Sequence, residues 1–172
     1  MLESVLYNAR VKLSAKDCVE MKHDREYPER PIVGVGGVVV SNERALLVRR
    51  GKPPLEDKWS IPGGMLEPGE TLQEGVRREL AEETGIDVRV LDMIEVFERI
   101  SLDAFGRAKY HFVVLDYLCE AIGGDVHAGS DASDVVWAAE SELAQYDLEP
   151  AAKRVVQKAL EMARERADGS MK

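Results

Sequence analysis

The sequence predicts an α/β fold in which a mixed β-sheet lies between helical layers. Two features lead to this prediction. Runs rich in valine and isoleucine recur between turn residues, as in strands, and two longer stretches repeat apolar residues at helical spacing. Because one helix falls among the strands and the other follows them, each face of the sheet has a helix available to cover it.

The chain has 172 residues, which suits one domain with a substantial core and not two ordinary domains. This domain is assigned to residues 31–172, and residues 1–30 precede it as an N-terminal extension. Apolar residues at mostly helical spacing predict a short amphipathic helix over residues 2–13. The sequence does not decide whether the extension covers the sheet or forms the interface of a homodimer.

The first strand is predicted over residues 32–40, where Gly34, Gly36 and Gly37 indicate burial and close approach of neighbouring backbone. The third glycine of a dinucleotide-binding loop is missing and no helix follows, so these glycines are interpreted as structural. The later strands are predicted at residues 45–49, 88–99, 108–121 and 135–137. A helical turn is predicted at residues 141–146, and a last amphipathic helix at residues 149–166.

The central helix has clear signals at both ends. Thr71 can cap its start, Glu74 can complete a capping box, and Gly85 is a natural stop after Thr84. At 100° per residue, the apolar stripe about 80° wide consists of Leu72, Val76 and Leu80. The sequence therefore predicts a helix that buries one face.

Three glutamates overlap or flank this buried stripe. Glu79 and Glu83 fall within about 20° of Leu72, and Glu82 flanks them at about −80°. Burying such charge is costly unless a cation or fixed donors compensate, so a hard divalent metal with oxygen ligands is the economical explanation. The alternative is a solvated acidic helix; the overlap with the stripe, the caps and the preceding Pro-Gly-Gly turn argue against it.

The segment from Gly64 to Ile86 matches the Nudix box, GX5EX7REUXEEXGU with U apolar, at every specified position. The chain therefore resembles the Nudix family, and a looser resemblance extends from Val33 to about Leu148. The resemblance implies an α/β/α sandwich for residues 31–172. It also implies hydrolysis of a nucleoside diphosphate linked to a group X, by attack of water on a phosphorus of the pyrophosphate.

The resemblance further implies Mg²⁺ or Mn²⁺ as cofactor and assigns roles to residues of the box. The metal ligands it implies are Glu79, Glu82, Glu83 and the backbone carbonyl of Gly63 or Gly64. The catalytic residues it implies are Arg78, Glu79 and Glu82, with Glu79 or a carboxylate of a later loop as general base. Arg78 would hold a glutamate in place, and Glu70 would orient the ligands without binding metal directly.

Residues outside the box are weaker candidates. Asp131 could supply a further metal ligand from a loop ahead of Trp137, and Asp134 is the alternative; both could equally be ordinary loop acids. The basic residues ahead of the box could meet phosphates, although a solvated loop is the better interpretation for Arg49, Arg50, Lys52 and Lys58. Two aromatic residues could stack on a base or pack within the fold, namely Trp59 and Phe105.

The composition narrows the partners. A net charge of −9 argues against a polynucleotide, which needs a basic stripe, but not against a small phosphorylated substrate. No apolar run is long enough for a transmembrane helix, and the N-terminus lacks a signal peptide's apolar core. Cys18 and Cys119 have no companion ligands at zinc spacing and suit a reducing compartment, so we predict a cytoplasmic protein without membrane partners.

The substrate is predicted from one further resemblance. The stretch from Gly123 to Ala132 is similar to one in short microbial ADP-ribose pyrophosphatases, which favours ADP-ribose or a nucleotide sugar. There is no proline near Ile100, where long-form members carry one. One alternative is hydrolysis of a nucleoside triphosphate. Another is a Nudix domain that binds nucleotide as a sensor without cleaving it, although an intact box disfavours that function.

Overall fold

The structure is a computed structural model that describes residues 25–51, 56–129 and 131–169. The helix predicted over residues 2–13 and Cys18 lie outside the described residues. No helix within the described ranges is long and apolar enough to cross a lipid bilayer.

Seven strands and two α-helices follow one another along the described chain. The strands are β1 (Ile32–Ser41), β2 (Arg44–Arg50), β3 (Trp59–Ser60), β4 (Gly63–Met65), β5 (Ile86–Leu102), β6 (Ala108–Gly124) and β7 (Ala132–Ala139). The helices are α1 (Leu72–Thr84) and α2 (Pro150–Gly169), and a short 3₁₀ helix, Glu140–Gln145, precedes α2.

The sheet is mixed, as the sequence predicts. Its strands lie in the order β3-β2-β1-β6-β5, with β4 also paired to β1 and β7 also paired to β2. β1 and β6 run parallel, from Ile32 opposite Phe112 to Val39 opposite Cys119, and the remaining pairs of these strands are antiparallel. β1 is therefore the central strand of the sheet.

The two helices cover opposite faces of the sheet. A side chain at Gly37 would meet Val76 and Leu80 of α1, whereas the neighbouring Val38 packs in one cluster with Val155 of α2. Because successive strand residues point to opposite faces, α1 and α2 lie on opposite sides. The predicted α/β/α sandwich is therefore confirmed.

α1 has the ends that the sequence predicts. The Thr71 hydroxyl accepts a hydrogen bond from the backbone N–H of Glu74, the Glu74 carboxylate accepts one from the backbone N–H of Thr71, and Gly85 ends the helix in the left-handed conformation. Val76 and Leu80 are completely buried. Local capping and a buried stripe together fix where this helix begins and how it is rotated.

The strands differ from the prediction at their ends. β5 and β6 each have 17 residues and pair with each other as a long hairpin, so both extend beyond the ranges predicted for them. β3 and β4 have only two and three residues and were not predicted. β3 is too short to show a strand pattern, and β4 is both short and rich in glycine. Each forms by pairing with a longer strand, β3 with β2 and β4 with β1.

Candidate functional site

The glutamates of α1 occupy the faces that their spacing predicts. Only 8% of Glu83 is exposed, and the Glu79 side chain is 13% exposed. The Glu82 side chain is 54% exposed, in keeping with its place at the flank of the stripe. Two carboxylates of one helix therefore lie on its protein-facing side, and the third lies at the edge of the same face.

Glu83 is a buried acid with little to balance its charge. Burial raises its pKa to about 7, the backbone N–H of Gly63 opposes this by donating to Oε2 over 2.9 Å, and repulsion from Glu79 adds to the rise. Arg50 lowers the pKa and Asp131 raises it. An acid in these surroundings favours a bound proton or a bound cation.

Arg78 forms a hydrogen-bonded network beside these acids. Its Nε and Nη2 donate to the Glu70 carboxylate over 3.1 and 2.7 Å, and Nη1 donates to Oε1 of Glu79 over 2.8 Å. A further bond of 3.0 Å from Nη2 reaches the carbonyl of Met65. The guanidinium therefore ties the loop ahead of α1 to the helix and holds the Glu79 carboxylate in one orientation.

The charges of this network shift the pKa values of its members. Hydrogen bonding from Arg78 lowers the pKa of Glu70, and hydrogen bonding to Glu70 raises that of the Arg78 guanidinium. For Glu79, burial raises the pKa and outweighs the opposing effect of Arg78. Glu70 is thus stabilised as a carboxylate by Arg78, whereas the charge of Glu79 is balanced only in part and favours a further cation or a proton.

Gly64 lies so close to Glu79 that a side chain at this position would displace the Glu79 carboxylate. A Cβ at this position would be 2.3 Å from Oε1 of Glu79. The backbone is held there because β4 pairs with β1, where Gly64 is opposite Val35. This close contact places the backbone of the predicted Gly64 ligand directly beside a predicted carboxylate ligand.

The loop after β6 is attached to the end of α1. The backbone N–H groups of His127 and Gly129 donate to the carbonyls of Thr84 and Glu83, over 3.0 and 2.9 Å. A Cβ at Gly129 would lie 1.7 Å from the carbonyl oxygen of Glu82. The sequence did not predict this attachment, and the glycine-rich composition of the segment was its only signal.

This attachment distinguishes the two aspartates proposed for the loop. Asp131 follows Gly129 by two residues, and its charge raises the pKa of Glu83. Asp134 lies within β7 opposite Arg49. The structure therefore brings Asp131 to the acidic group of α1, and its role as a ligand stays a prediction.

The donors at this site fit a hard divalent cation. They are the carboxylates of Glu79, Glu82 and Glu83 with a backbone carbonyl, all oxygen ligands of the kind that Mg²⁺ and Mn²⁺ prefer. In the part of the chain that the structure describes, no three acidic, histidine or cysteine side chains converge as a ligand set. Arg78 and the Gly63 N–H engage two of the carboxylates instead.

The basic residues ahead of the box divide into two kinds. Arg49 pairs with Asp57 at 3.2 Å and Lys58 pairs with Asp147, all at the surface. The Nε of Arg50 is buried and has no hydrogen-bond partner among the described residues. Lys52 lies outside the described residues. Arg49 and Lys58 are therefore surface residues with acidic partners, although Arg49 lies at the end of β2 and not in a loop. Arg50 is half-buried and lies near enough to Glu83 to lower its pKa.

The two aromatic candidates differ in their surroundings, and two histidines lie on or after β6. Trp59 packs edge-on against Tyr146, with ring centroids 5.1 Å apart, which is a packing role. Phe105 is 85% exposed at the tip of the hairpin between β5 and β6. His111 lies in β6 and His127 in the loop that follows, as the sequence predicts.

One buried acid was missed in the sequence. Asp116 lies in β6 and is 3% exposed. An aspartate within the apolar run HFVVLDYLC was a signal that could have identified it, because a charged residue in a buried strand is unusual.

Comparison with known proteins assigns the family. The NUDIX domain family matches residues 30–159. An ADP-ribose pyrophosphatase of Methanocaldococcus jannaschii is 34% identical over 104 residues, which are 60% of this chain and 59% of that protein, so the match spans less than two thirds of that relative. Nucleoside triphosphatase NudI of Salmonella paratyphi B is 32% identical over 104 residues, 58% of this chain and 74% of that protein.

Solved structures share the fold. A NUDIX hydrolase from Nitrosomonas europaea superposes with a TM-score of 0.65 at 24% identity, over 80% of this chain and 74% of that one. At this identity the likeness shows the architecture alone.

Proposed function

The chain belongs to the Nudix hydrolase family, whose members act on pyrophosphate bonds, and we propose that it hydrolyses the pyrophosphate linkage of a nucleoside diphosphate linked to X. The observation that carries this proposal is the burial of Glu83 beside Glu79, because Arg78 pairs with Glu79 while no ion pair from the described residues reaches Glu83. A bound divalent cation would offset that charge and fit the oxygen donors around it.

Each residue of the group has a distinct task in the proposed reaction. Glu79, Glu82 and Glu83 would hold the cation, with Gly64 and Asp131 contributing further oxygens. When bound, the cation neutralises phosphate charge and lowers the pKa of water at the attacked phosphorus. Arg78 keeps the Glu79 carboxylate oriented, and Glu79 or a carboxylate of a later loop accepts the proton that the attacking water releases.

ADP-ribose is the substrate we propose first. The support is the resemblance of the segment from Gly123 to Ala132 to short ADP-ribose pyrophosphatases, and the name of the archaeal relative. Triphosphate hydrolysis is the second candidate, because the Salmonella relative is a nucleoside triphosphatase. A homodimer through residues 1–30 stays a separate prediction.

A substrate panel with Mg²⁺ tests the proposal. ADP-ribose, nucleotide sugars, ATP and dGTP are incubated separately and both products are separated by chromatography. We expect ADP-ribose to exceed the triphosphates by at least about tenfold in kcat/KM, which is roughly 1.4 kcal/mol of transition-state binding. If a triphosphate has a higher kcat/KM than ADP-ribose, the substrate assignment is wrong but the proposed Nudix chemistry stands. Binding without turnover across the panel would favour a sensor.

A further inference from the structure

Asp116 is a buried acid that the proposed cleavage does not use. It is 3% exposed, and no hydrogen bond or ion pair reaches its carboxyl group from residues in the described ranges. A buried polar group without a partner destabilises the fold, because its lost contacts with water are not replaced. A residue of this kind needs an explanation outside the packing of the protein alone.

The carboxyl group lies at the inner end of a sheet face that α2 leaves partly uncovered. On this face Val38 and Leu118 pack in one cluster with α2, whereas Ile32, Ile61, Phe112 and Val114 are only half-buried. We call this area the apolar shelf; it consists of these four residues and of the buried glycines Gly34 and Gly36.

The shelf is flat beside Asp116 because the neighbouring residue of β1, Gly36, has no side chain. A Cβ at Gly36 would lie 2.2 Å from Oδ1 of Asp116 and 3.5 Å from Ile61. The carboxyl group therefore rests directly on the backbone of β1. A flat apolar surface that ends in one polar group is suited to a planar ring with a polar edge.

The shelf also begins next to the proposed cleavage site. The carbonyl oxygen of Gly64 lies 3.5 Å from the position that a Cβ at Gly34 would take. A nucleotide with its phosphates near Gly64 would therefore have the shelf within reach for its base.

The neighbours of Asp116 favour its neutral form. Glu95 lies opposite Asp116 on β5, and its carboxylate accepts a hydrogen bond of 3.2 Å from Nε of Arg154. Burial raises the pKa of Asp116 to about 7, and repulsion from Glu95 adds to the rise. A neutral carboxyl group can donate one hydrogen bond and accept another at the same time.

We propose that Asp116 binds the amino-bearing edge of an adenine that lies on the apolar shelf. Its O–H donates to N1 of the ring, and its carbonyl oxygen accepts from the exocyclic amino group. Guanine presents a donor at N1 and an acceptor at O6, which a neutral acid can also match, so the choice of adenine comes from the proposed ADP-ribose substrate. The inference rests on the proposed function, since it places the nucleoside of the same substrate.

The test compares AMP with purine riboside 5′-monophosphate, which lacks the amino group. Titration calorimetry is performed on wild-type protein, Asp116→Leu and Asp116→Asn. We expect wild type to bind AMP about tenfold more tightly than the purine analogue, a difference typical of one or two hydrogen bonds. The ratio should fall to within about twofold in Asp116→Leu and persist in Asp116→Asn, because an amide also donates and accepts.

The control is Glu120→Gln, which changes an exposed acid of the same strand and should leave the ratio unchanged. An unchanged ratio in folded Asp116→Leu would overturn the proposal, as would equal affinity of the two nucleotides for wild type. If the leucine variant does not fold, the wild-type comparison decides alone. Binding of a monophosphate needs no turnover, so an inactive enzyme that still prefers AMP would refute the proposed hydrolysis and leave this inference standing.

Discussion

Replacing Asp116 by asparagine is expected to stabilise the protein above pH 7 and to have little effect near pH 4. In the folded protein the pKa of Asp116 is about 7, against an ordinary value of 3.8. Between pH 3.8 and about 7, the folded state therefore keeps a proton on Asp116 that the unfolded chain has released. The stability contributed by Asp116 is fully present below 3.8, declines as the pH rises, and is lost above about 7.

The magnitude follows from the difference between the two values. At about 1.4 kcal/mol per pH unit, the difference corresponds to an upper limit of about 4 kcal/mol at pH 8. For a domain of this size, about 2–4 °C per kcal/mol translates this into a rise in Tm of about 10 °C for the asparagine variant.

Thermal melts between pH 4 and pH 8.5, in chelator, measure the effect. The wild-type Tm should fall below that of Asp116→Asn as the pH rises. The exposed Glu120→Gln variant is the control and should stay within about 0.5 kcal/mol of wild type throughout. A difference between wild type and Asp116→Asn that does not change with pH would show that Asp116 ionises as easily in the folded protein as in the unfolded chain.

Three further predictions concern catalysis. Glu83→Gln should lower kcat by on the order of a hundredfold or more, with the solvated Glu74→Gln as control; wild-type turnover would remove Glu83 from the metal site. Arg78→Lys should lower kcat by roughly tenfold, because lysine cannot hold Glu70 and Glu79 at once, and the exposed Arg77→Lys should not; equal rates would make the network dispensable. Chelator should abolish turnover and added Mg²⁺ or Mn²⁺ should restore it, while full activity in chelator would exclude the mechanism.

The parts of the site that were predicted from the sequence depend on local signals. The capping box, the Gly85 stop and the burial of Glu79 and Glu83 all follow from spacing within one helix. The contact between Arg78 and Glu79 joins neighbouring residues of that helix. A periodic segment with its own caps needs little information from the rest of the chain.

The parts that were not predicted depend on contacts between distant residues. β4 forms because three residues pair with β1, and the loop that precedes Asp131 is attached to the end of α1 through the backbone of Gly129. Asp131 itself was a candidate from the sequence, whereas this attachment was not predicted. The repulsion between Asp116 and Glu95 depends on the pairing of β6 with β5, which brings the two residues opposite each other. Neither hydrophobic pattern nor turn chemistry encodes such partners.

Gly64 connects the two halves of the proposed site. Its Cβ position is closed by the Glu79 carboxylate, and its carbonyl oxygen lies beside Gly34 at the start of the apolar shelf. A larger residue at Gly64 would displace Glu79, and a larger residue at Gly36 would displace the carboxyl group of Asp116. Under the two proposals, the short pairing of β4 with β1 would therefore position both the metal ligands and the base.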